Sequence, residues 1–274
     1  MCWKSSREQK TGAFLIVKEL RDIRVVLLAG PGDSTRAVAN LLHSSVDLCG
    51  IILENPPSRA RLLQRRAQKL GAIEVLGQLL FIALTKIASK LYRRKIADLY
   101  SELGFEIASY PEDLTHKVQS ANSPRTHSLL SSLRPDVVVI NGTRILSQKT
   151  LDSVDAPFIN IHTGITPKYR GVHGGYWALA LEDEANCGVT IHFVDKGIDT
   201  GDVLFQVRIQ PTGEDNFLTY PVRQLGAARE PLLTAIRETA NKTVATTPGV
   251  GPSQLFYHPT LWGYCQTYLR LGVR

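Results

Sequence analysis

An amide, an imidazole and a carboxylate lie next to strand-like runs in the second half of the chain. Asn160 and His162 are separated by one residue, and Asp199 follows within residues 158–201. Alternate residues of an extended segment share a face, so Asn160 and His162 can converge. The amide can donate to an oxyanion, and an imidazole with an ordinary pKa of about 6.5 can accept or donate a proton. If Asp199 lies close to the imidazole, the three form an acid–base site.

Each of these residues also has a structural interpretation. An Asn-x-His tripeptide is common, and a histidine at a strand end is more often a hydrogen-bond partner than a catalyst. Asp195 could brace its own loop, and strand alternation could bury His192 beside a partner. We therefore rank Asp195 and His192 below the first three.

Short apolar runs predict the strands that position these residues. Residues 24–29 and 46–53 are separated by a helical pattern, which predicts a βαβ unit in a parallel sheet. The strand predicted over 136–140 ends at a loop beginning Asn141-Gly142, where open α/β sheets bind ligands. Further runs predict strands at 107–110, 158–161, 188–193 and 203–209, the last antiparallel or at an edge, and a long helix at 220–240. The expected fold class is α/β: an open, mostly parallel Rossmann-like sheet with flanking helices.

The predicted organisation is one large domain with additions. Residues 1–23 form an N-terminal extension without the pattern of a secretory signal. The α/β domain covers 24–240, and 241–274 form a C-terminal tail. A basic helical insertion interrupts the domain at 58–100.

The insertion contains many cations, and Glu74 is its one acid before Asp98. Its uncharged run at 75–85 falls short of the roughly 20 residues that a membrane-spanning helix needs. Three interpretations remain open. The apolar face packs on the domain or on a second subunit, the insertion lies on a membrane surface, or it forms a lid or dock for an anionic acceptor. The cations are Arg59, Arg61, Arg65, Arg66, Lys69, Lys86, Lys90, Arg93, Arg94 and Lys95.

Charge and cysteine content restrict the class of protein. The formal charge of +7 favours anionic partners. The four cysteines show no CxxC spacing, which argues against a disulfide framework or a zinc site and fits a reducing cytoplasm. We expect a cytoplasmic protein without a metal.

Three motifs, taken together in their order along the chain, resemble those of a known protein family. They are Gly142-Thr143-Arg144-Ile145-Leu146, then Asn160-Ile161-His162 with Pro167-Lys168-Tyr169-Arg170-Gly171, then the segment 192–201. Together they resemble the folate-dependent formyltransferases, a family that includes glycinamide ribonucleotide formyltransferase and the N-terminal domain of methionyl-tRNA formyltransferase. The likeness spans roughly residues 24–216, apart from the insertion.

This resemblance implies roles for the residues that match. Asn160, His162 and Asp199 would be catalytic, and the co-substrate would be 10-formyltetrahydrofolate. The pterin contacts would come from Gly142, Thr143, Arg144, Ile145, Leu146 and Asp195. The chain departs from the family pattern at Thr163-Gly164-Ile165-Thr166, where the family usually has a small residue followed by Ser-Leu-Leu.

Candidate substrate contacts lie in two loops. Gly32 and Ser34 lie at the start of a predicted helix, for which Asp33 or Ser34 is the expected N-cap. The N-terminus of this helix would attract phosphate, although Asp33 would repel it. Arg170 and Gly171 follow the candidate catalytic histidine, although Arg170 could equally pair with a carboxylate. The turn at Gly30 also matches half of a dinucleotide-binding fingerprint, but that signal is weak by itself.

The expected activity is formyl transfer to a small, anionic amine such as an amino sugar nucleotide. A tRNA acceptor is less expected, because the chain lacks room for the C-terminal β-barrel domain of the methionyl-tRNA enzymes. The alternatives are a formyltetrahydrofolate hydrolase, and a catalytically silent binding protein that its basic insertion recruits to anionic membranes. Peripheral membrane contact through 58–100 and oligomer formation stay open.

Overall fold

The computed structural model describes residues 17–56 and 67–274. The predictions for the first 16 residues and for Arg59, Arg61, Arg65 and Arg66 lie outside these ranges. After a 3₁₀ turn at Leu20–Asp22, the chain forms strand β1, helix α1 and strand β2. They cover Arg24–Ala29, Asp33–Ser45 and Asp47–Glu54. The predicted βαβ unit is therefore confirmed.

The remaining elements follow in chain order. The helices are α2 (Ala72–Leu91), α3 (Arg93–Glu102), α4 (Pro124–Leu133), α5 (Gln148–Leu151), α6 (Gly174–Ala180), α7 (Tyr220–Ala240) and α8 (Leu261–Leu271). The strands are β3 (Thr115–Val118), β4 (Val137–Asn141), β5 (Phe158–His162), β6 (Tyr169–Gly171), β7 (Gly188–Phe193), β8 (Val203–Arg208) and β9 (Gln254–Phe256).

The seven-stranded central sheet has the order β3-β2-β1-β4-β5-β7-β8. Strands β1 to β5 are parallel, whereas β7 runs antiparallel to β5 and β8 runs antiparallel to β7. Helices α1 and α7 pack on one face, and α4 packs on the other. The predicted α/β class with a mostly parallel sheet is confirmed, as are the edge position of β8 and the length of α7.

Two local predictions are wrong. No strand forms over 107–110, where Ile107 and Tyr110 pack against the core from an irregular segment. The edge strand is instead β3, which begins eight residues after the predicted start and pairs with β2. Helix α1 begins at Asp33 with Gly32 as its N-cap and no side-chain cap, so neither Asp33 nor Ser34 caps it.

The basic insertion forms α2 and α3, and α2 is longer than its uncharged core. It runs for 20 residues through Lys86 and Lys90. By length and composition alone the whole helix could cross a membrane, whereas its uncharged run covers only residues 75–85. Its Phe81 packs in an aromatic cluster with Tyr176 of α6 and Phe217. The insertion therefore packs on the domain through part of its surface.

The C-terminal tail is part of the same structure. Strand β9 pairs in parallel with β6, and α8 packs against α2. A side chain at Gly77 of α2 would meet the Trp262 ring of α8, its Cβ only 2.4 Å from the nearest ring carbon. Glycine at position 77 allows this close approach. The tail thus joins the loop that follows β5 to the insertion.

Candidate active site

The site is built on the pairing of β5 with β7. Asn160 and His192 are direct neighbours in this antiparallel register, and the Asn160 Nδ2 lies 3.1 Å from His192 Nε2. His192 Nδ1 lies 2.7 Å from the carbonyl oxygen of Phe193, so Nδ1 carries the proton and Nε2 accepts from the amide. This histidine is 2% exposed.

Asp199 enters the same cluster from the loop between β7 and β8. Its backbone is left-handed, with φ of 52°, a conformation that aspartate adopts more readily than most residues. Its Oδ2 accepts a 2.9 Å hydrogen bond from the Gly171 N–H and lies 3.4 Å from His162 Nδ1. Its Oδ1 accepts from Asn160 Nδ2 at 3.3 Å. The structure therefore brings the three predicted catalytic side chains together.

The His162 ring is enclosed by the loop that follows it. Its Nε2 donates to the carbonyl oxygen of Tyr169 at 2.6 Å. A side chain at Gly164 would lie 2.7 Å from Nε2 and 2.4 Å from that carbonyl oxygen, which explains a glycine in this segment. Thr190 of β7 fixes the loop by donating to the Gly164 carbonyl and accepting from the Thr166 N–H. The departure from the family pattern at 163–166 thus forms a tight cover over the histidine.

Burial and charge act in opposite directions on this pair. Burial lowers the pKa of His162, and the neighbouring Asp199 charge and the Tyr169 carbonyl oppose that effect. Burial raises the pKa of Asp199, but the charge of His162, the nearby His192 ring and the Gly171 N–H together lower it to about 2. Asp199 is therefore a carboxylate at neutral pH, held 3.4 Å from an imidazole.

Two predicted substrate residues support the Asp199 loop in this structure. Arg170 donates to the carbonyl oxygen of Ile198 at 3.0 Å, and Gly171 donates to Asp199 itself. Gly171 has a φ of 94°, and a Cβ there would lie 2.3 Å from the Phe256 carbonyl oxygen of β9. Substrate contact by these two residues stays a prediction, while their observed contacts hold the carboxylate in place.

The predicted pterin loop leaves the sheet at the end of β4, beside β5. Its Arg144 extends along this edge away from β5 toward the end of β2, because its Nε lies 2.5 Å from Oε2 of the buried Glu54 and its backbone N–H donates to Oε1. Leu146 is buried in the core, whereas the Ile145 side chain is 55% exposed. Pterin contact by Gly142, Thr143, Arg144, Ile145 and Leu146 stays a prediction.

Asp195, the remaining predicted pterin contact, braces its own loop. Its Oδ1 accepts from the Gly197 N–H at 2.9 Å and from the Thr200 hydroxyl at 2.6 Å. These bonds shape the turn that leads into Asp199. A pterin contact at Asp195 stays a prediction, and the structural alternative agrees with the observed bonds.

The groups proposed for phosphate binding have protein partners. The Gly32 N–H donates to the Tyr110 hydroxyl at 3.3 Å, and the Ser34 hydroxyl accepts from the Asn141 amide at 3.2 Å. Asp33 pairs with Arg36. A phosphate at Gly32 would have to displace the tyrosine hydroxyl, so this subsite stays a prediction.

The sequence analysis ranked His192 below the three candidate catalytic residues, although it lies in the same cluster. It did not predict the contact of the Tyr169 carbonyl with His162 or the presence of strand β9. The strand register was the signal for His192, since it sets this ring opposite Asn160. Nothing in the sequence indicated that β9 would pair beside the Asp199 loop. Across 17–56 and 67–274, no cluster of three or more His, Cys, Asp or Glu side chains is arranged to hold a metal ion.

Comparison with known proteins gives a family and a fold. The formyl transferase family matches residues 88–236, which is more than half of the chain. Methionyl-tRNA formyltransferase from Chlorobium chlorochromatii is 29% identical over 133 residues, covering 48% of this chain and 42% of that one. The corresponding protein from Koribacter versatilis is 31% identical over 136 residues, covering 49% and 43%. The matched region thus spans less than half the length of these relatives.

Solved structures share the fold at low sequence identity. A sugar N-formyltransferase from a Shewanella species has a TM-score of 0.53 and 14% identity, covering 85% of this chain and 76% of that one. Glycinamide ribonucleotide transformylase 1 from Symbiobacterium toebii has a TM-score of 0.54 and 17% identity, covering 86% and 95%. The predicted Rossmann-like architecture therefore agrees with that of known formyltransferases.

Proposed function

Since the chain belongs to the formyl transferase family, we propose that it transfers a formyl group from 10-formyltetrahydrofolate to the amine of a small, anionic acceptor. The observation that carries the proposal is the convergence of Asn160, His162 and Asp199 on one cluster. Two strands and one loop hold it together, with 3.3 Å from the amide to the carboxylate and 3.4 Å from the carboxylate to the imidazole.

Formyl transfer requires three functions that these side chains can supply. The amine nitrogen forms a bond to the formyl carbon, the bond from that carbon to the folate nitrogen breaks, and one amine proton ends on the folate nitrogen. A neutral amine must attack, the oxyanion needs a donor, and the proton needs a carrier. A well-placed donor is typically worth about 3–4 kcal/mol of the barrier, and general acid–base assistance gives about a hundredfold to ten-thousandfold.

The observed bonds indicate how the tasks are divided. Both N–H groups of Asn160 already have partners, and the contact to Asp199 at 3.3 Å is longer than that to His192 at 3.1 Å. We assign oxyanion donation to the Asn160 N–H that leaves Asp199 when substrate binds. His162 is closed off by Tyr169, whereas the Asp199 side chain keeps 13% of its surface exposed. The Asp199–His162 pair is therefore proposed to take the proton through the carboxylate or a water next to it.

The acceptor is proposed to be an amino sugar linked to a nucleotide. Its diphosphate would suit the formal charge of +7, and a sugar N-formyltransferase shares the fold. The matched curated relatives act on methionyl-tRNA by name, so that acceptor belongs in the same test.

The test is an incubation of the protein with 10-formyltetrahydrofolate and one amine at a time. The amines are amino sugar nucleotides, glycinamide ribonucleotide, methionyl-tRNA and a blank without amine. Release of tetrahydrofolate that needs an amino sugar nucleotide, and that is lost in His162→Asn, supports the proposal. Formate release in the blank would show a hydrolase instead, and an inactive but folded protein with every amine would contradict the assignment.

A further inference from the structure

Helix α2 carries an apolar stripe that the described part of the domain, residues 17–56 and 67–274, leaves exposed. We define the stripe by its six large side chains, which recur every three or four residues and are each between 43% and 79% exposed: Ile73, Leu76, Leu80, Leu84, Ile87 and Leu91. At about 1.5 Å per residue it is about 27 Å long. Soluble chains rarely expose contiguous apolar surface of this kind unless it binds something.

The opposite side of α2 is already occupied. Val75, Gln78 and Phe81 are buried, and Gly77 packs against Trp262 of α8. Trp262 is itself 46% exposed, and Leu269 on the same helix is 81% exposed. The exposed apolar surface therefore continues from the stripe onto α8, while the buried face fixes α2 to the domain.

Cations flank the stripe. Lys86 and Lys90 are exposed. At 100° per residue they lie about 120° and about 80° from the line of the stripe, both on the same side. Arg93 and Arg94 extend the positive charge where α3 begins, and both are exposed. Glu74 is the acid on α2, and it lies in the first turn at the far end.

From this geometry we propose that α2 and the exposed edge of α8 dock on the surface of an anionic lipid bilayer. Apolar side chains flanked by lysine and arginine are the pattern of a helix that lies in the membrane interface. The helix lies on the bilayer and does not cross it, because crossing would expose the buried Phe81 face and draw Lys86 into lipid. A second copy of the chain fits less well, since its own α2 would bring the same cations and one glutamate to the contact.

The test is sedimentation of the purified full chain with sucrose-loaded vesicles, without folate or amine, so its outcome is independent of the proposed reaction. One set of vesicles is pure phosphatidylcholine, and the other contains phosphatidylglycerol. Binding that requires phosphatidylglycerol is expected, and it weakens as salt is added. The doubly substituted Lys86→Gln/Lys90→Gln chain should bind about 25-fold more weakly, at about fivefold for each lysine.

A second variant tests the apolar contact. Leu80→Asp should lower the partition coefficient at least about tenfold, because it removes a buried leucine from the interface and adds a charge. Leu181→Asp and Lys149→Glu are matched controls, as both positions are exposed and lie off α2 and α8; these chains should bind as the native chain does. Trp262 fluorescence should shift to shorter wavelength with anionic vesicles, and Trp262→Phe should remove that shift.

Three results would overturn the proposal. They are the absence of binding to phosphatidylglycerol vesicles, equal binding by the folded Leu80→Asp chain, and equal binding to neutral and anionic vesicles. Dimerisation that Leu80→Asp abolishes, without vesicle binding by the native chain, would assign the stripe to a second copy instead.

Discussion

Replacement of Asp199 by asparagine removes one charge at nearly constant volume. The native carboxylate accepts from the Gly171 N–H and lies 3.4 Å from His162 Nδ1. Its pKa is about 2, compared with an ordinary value of 3.8. An asparagine can keep an acceptor for Gly171, but it cannot supply the charge that faces the imidazole.

The pKa difference sets the size of the stability effect. About two units at about 1.4 kcal/mol each correspond to about 2–3 kcal/mol. Because the folded-state pKa of Asp199 is lowered, this stabilisation is present above about pH 4 and is lost as the pH falls towards about 2. The gap in unfolding free energy between the native chain and Asp199→Asn should therefore shrink by about 2–3 kcal/mol over that interval.

The same change acts on His162 and on catalysis. The Asp199 charge opposes the effect of burial on His162, so its removal should lower the pKa of His162 further. Under the proposed mechanism the variant also loses its proton carrier, and the turnover rate should fall about a hundredfold or more.

Urea unfolding at several pH values measures the stability gap, and nuclear magnetic resonance titration measures the histidine. Asp202→Asn is the matched control, because Asp202 is an exposed carboxylate three residues further along the same loop. A gap that does not change with pH, or a His162 pKa that rises in Asp199→Asn, would refute this account of the pair.

Three further predictions concern the surroundings of the site. Gly171→Ala should lower stability by about 1–3 kcal/mol and slow turnover, because its Cβ would collide with the Phe256 carbonyl and move the N–H that holds the carboxylate. Arg144→Leu should cost about 3 kcal/mol in urea unfolding, since it leaves Glu54 buried without its cation. Burial, with the adjacent His258, lowers the pKa of His173 to about 3. The native chain should therefore lose about 2 kcal/mol of unfolding free energy between neutral pH and about pH 5, and His173→Asn should not.

Matched control variants distinguish these specific effects from a general loss of stability caused by any substitution. Gly213→Ala serves for Gly171, because nothing lies within 4 Å of a Cβ at Gly213. Arg125→Gln and His43→Asn, both at exposed positions, serve for Arg144 and His173. Equal losses in a variant and its control would count against the corresponding contact, as would an unchanged acid sensitivity in His173→Asn.

The sequence predicted the sheet and part of the site for physical reasons. Buried parallel strands are short apolar runs, so β1, β2 and β4 were recognisable. The alternation of side chains along a strand placed Asn160 and His162 on one face. It did not predict how close Asp199 lies, and the role of Asp199 was inferred from the family resemblance alone. The Asp199 position depends on Gly171 and on β9, and neither contact leaves a local pattern.

Long-range partners explain what the sequence concealed. Arg144 was predicted to contact the pterin from its loop, and nothing local indicated that its charge would satisfy Glu54, 90 positions earlier. His192 depends on the antiparallel register of β5 and β7. The uncharged run at 75–85 did not give the length of α2, because lysine is a good helix former and the helix continues through Lys86 and Lys90.

The most direct measurement follows the formyl carbon itself. The protein is given 10-formyltetrahydrofolate with an isotopically labelled formyl carbon and an amino sugar nucleotide, and the product is read by nuclear magnetic resonance. The proposed mechanism predicts a labelled formamide and an equimolar amount of tetrahydrofolate with the native chain, and neither with His162→Asn. Labelled formamide formed equally well by the folded His162→Asn chain, or no transfer by the native chain to any amine tested, would contradict it.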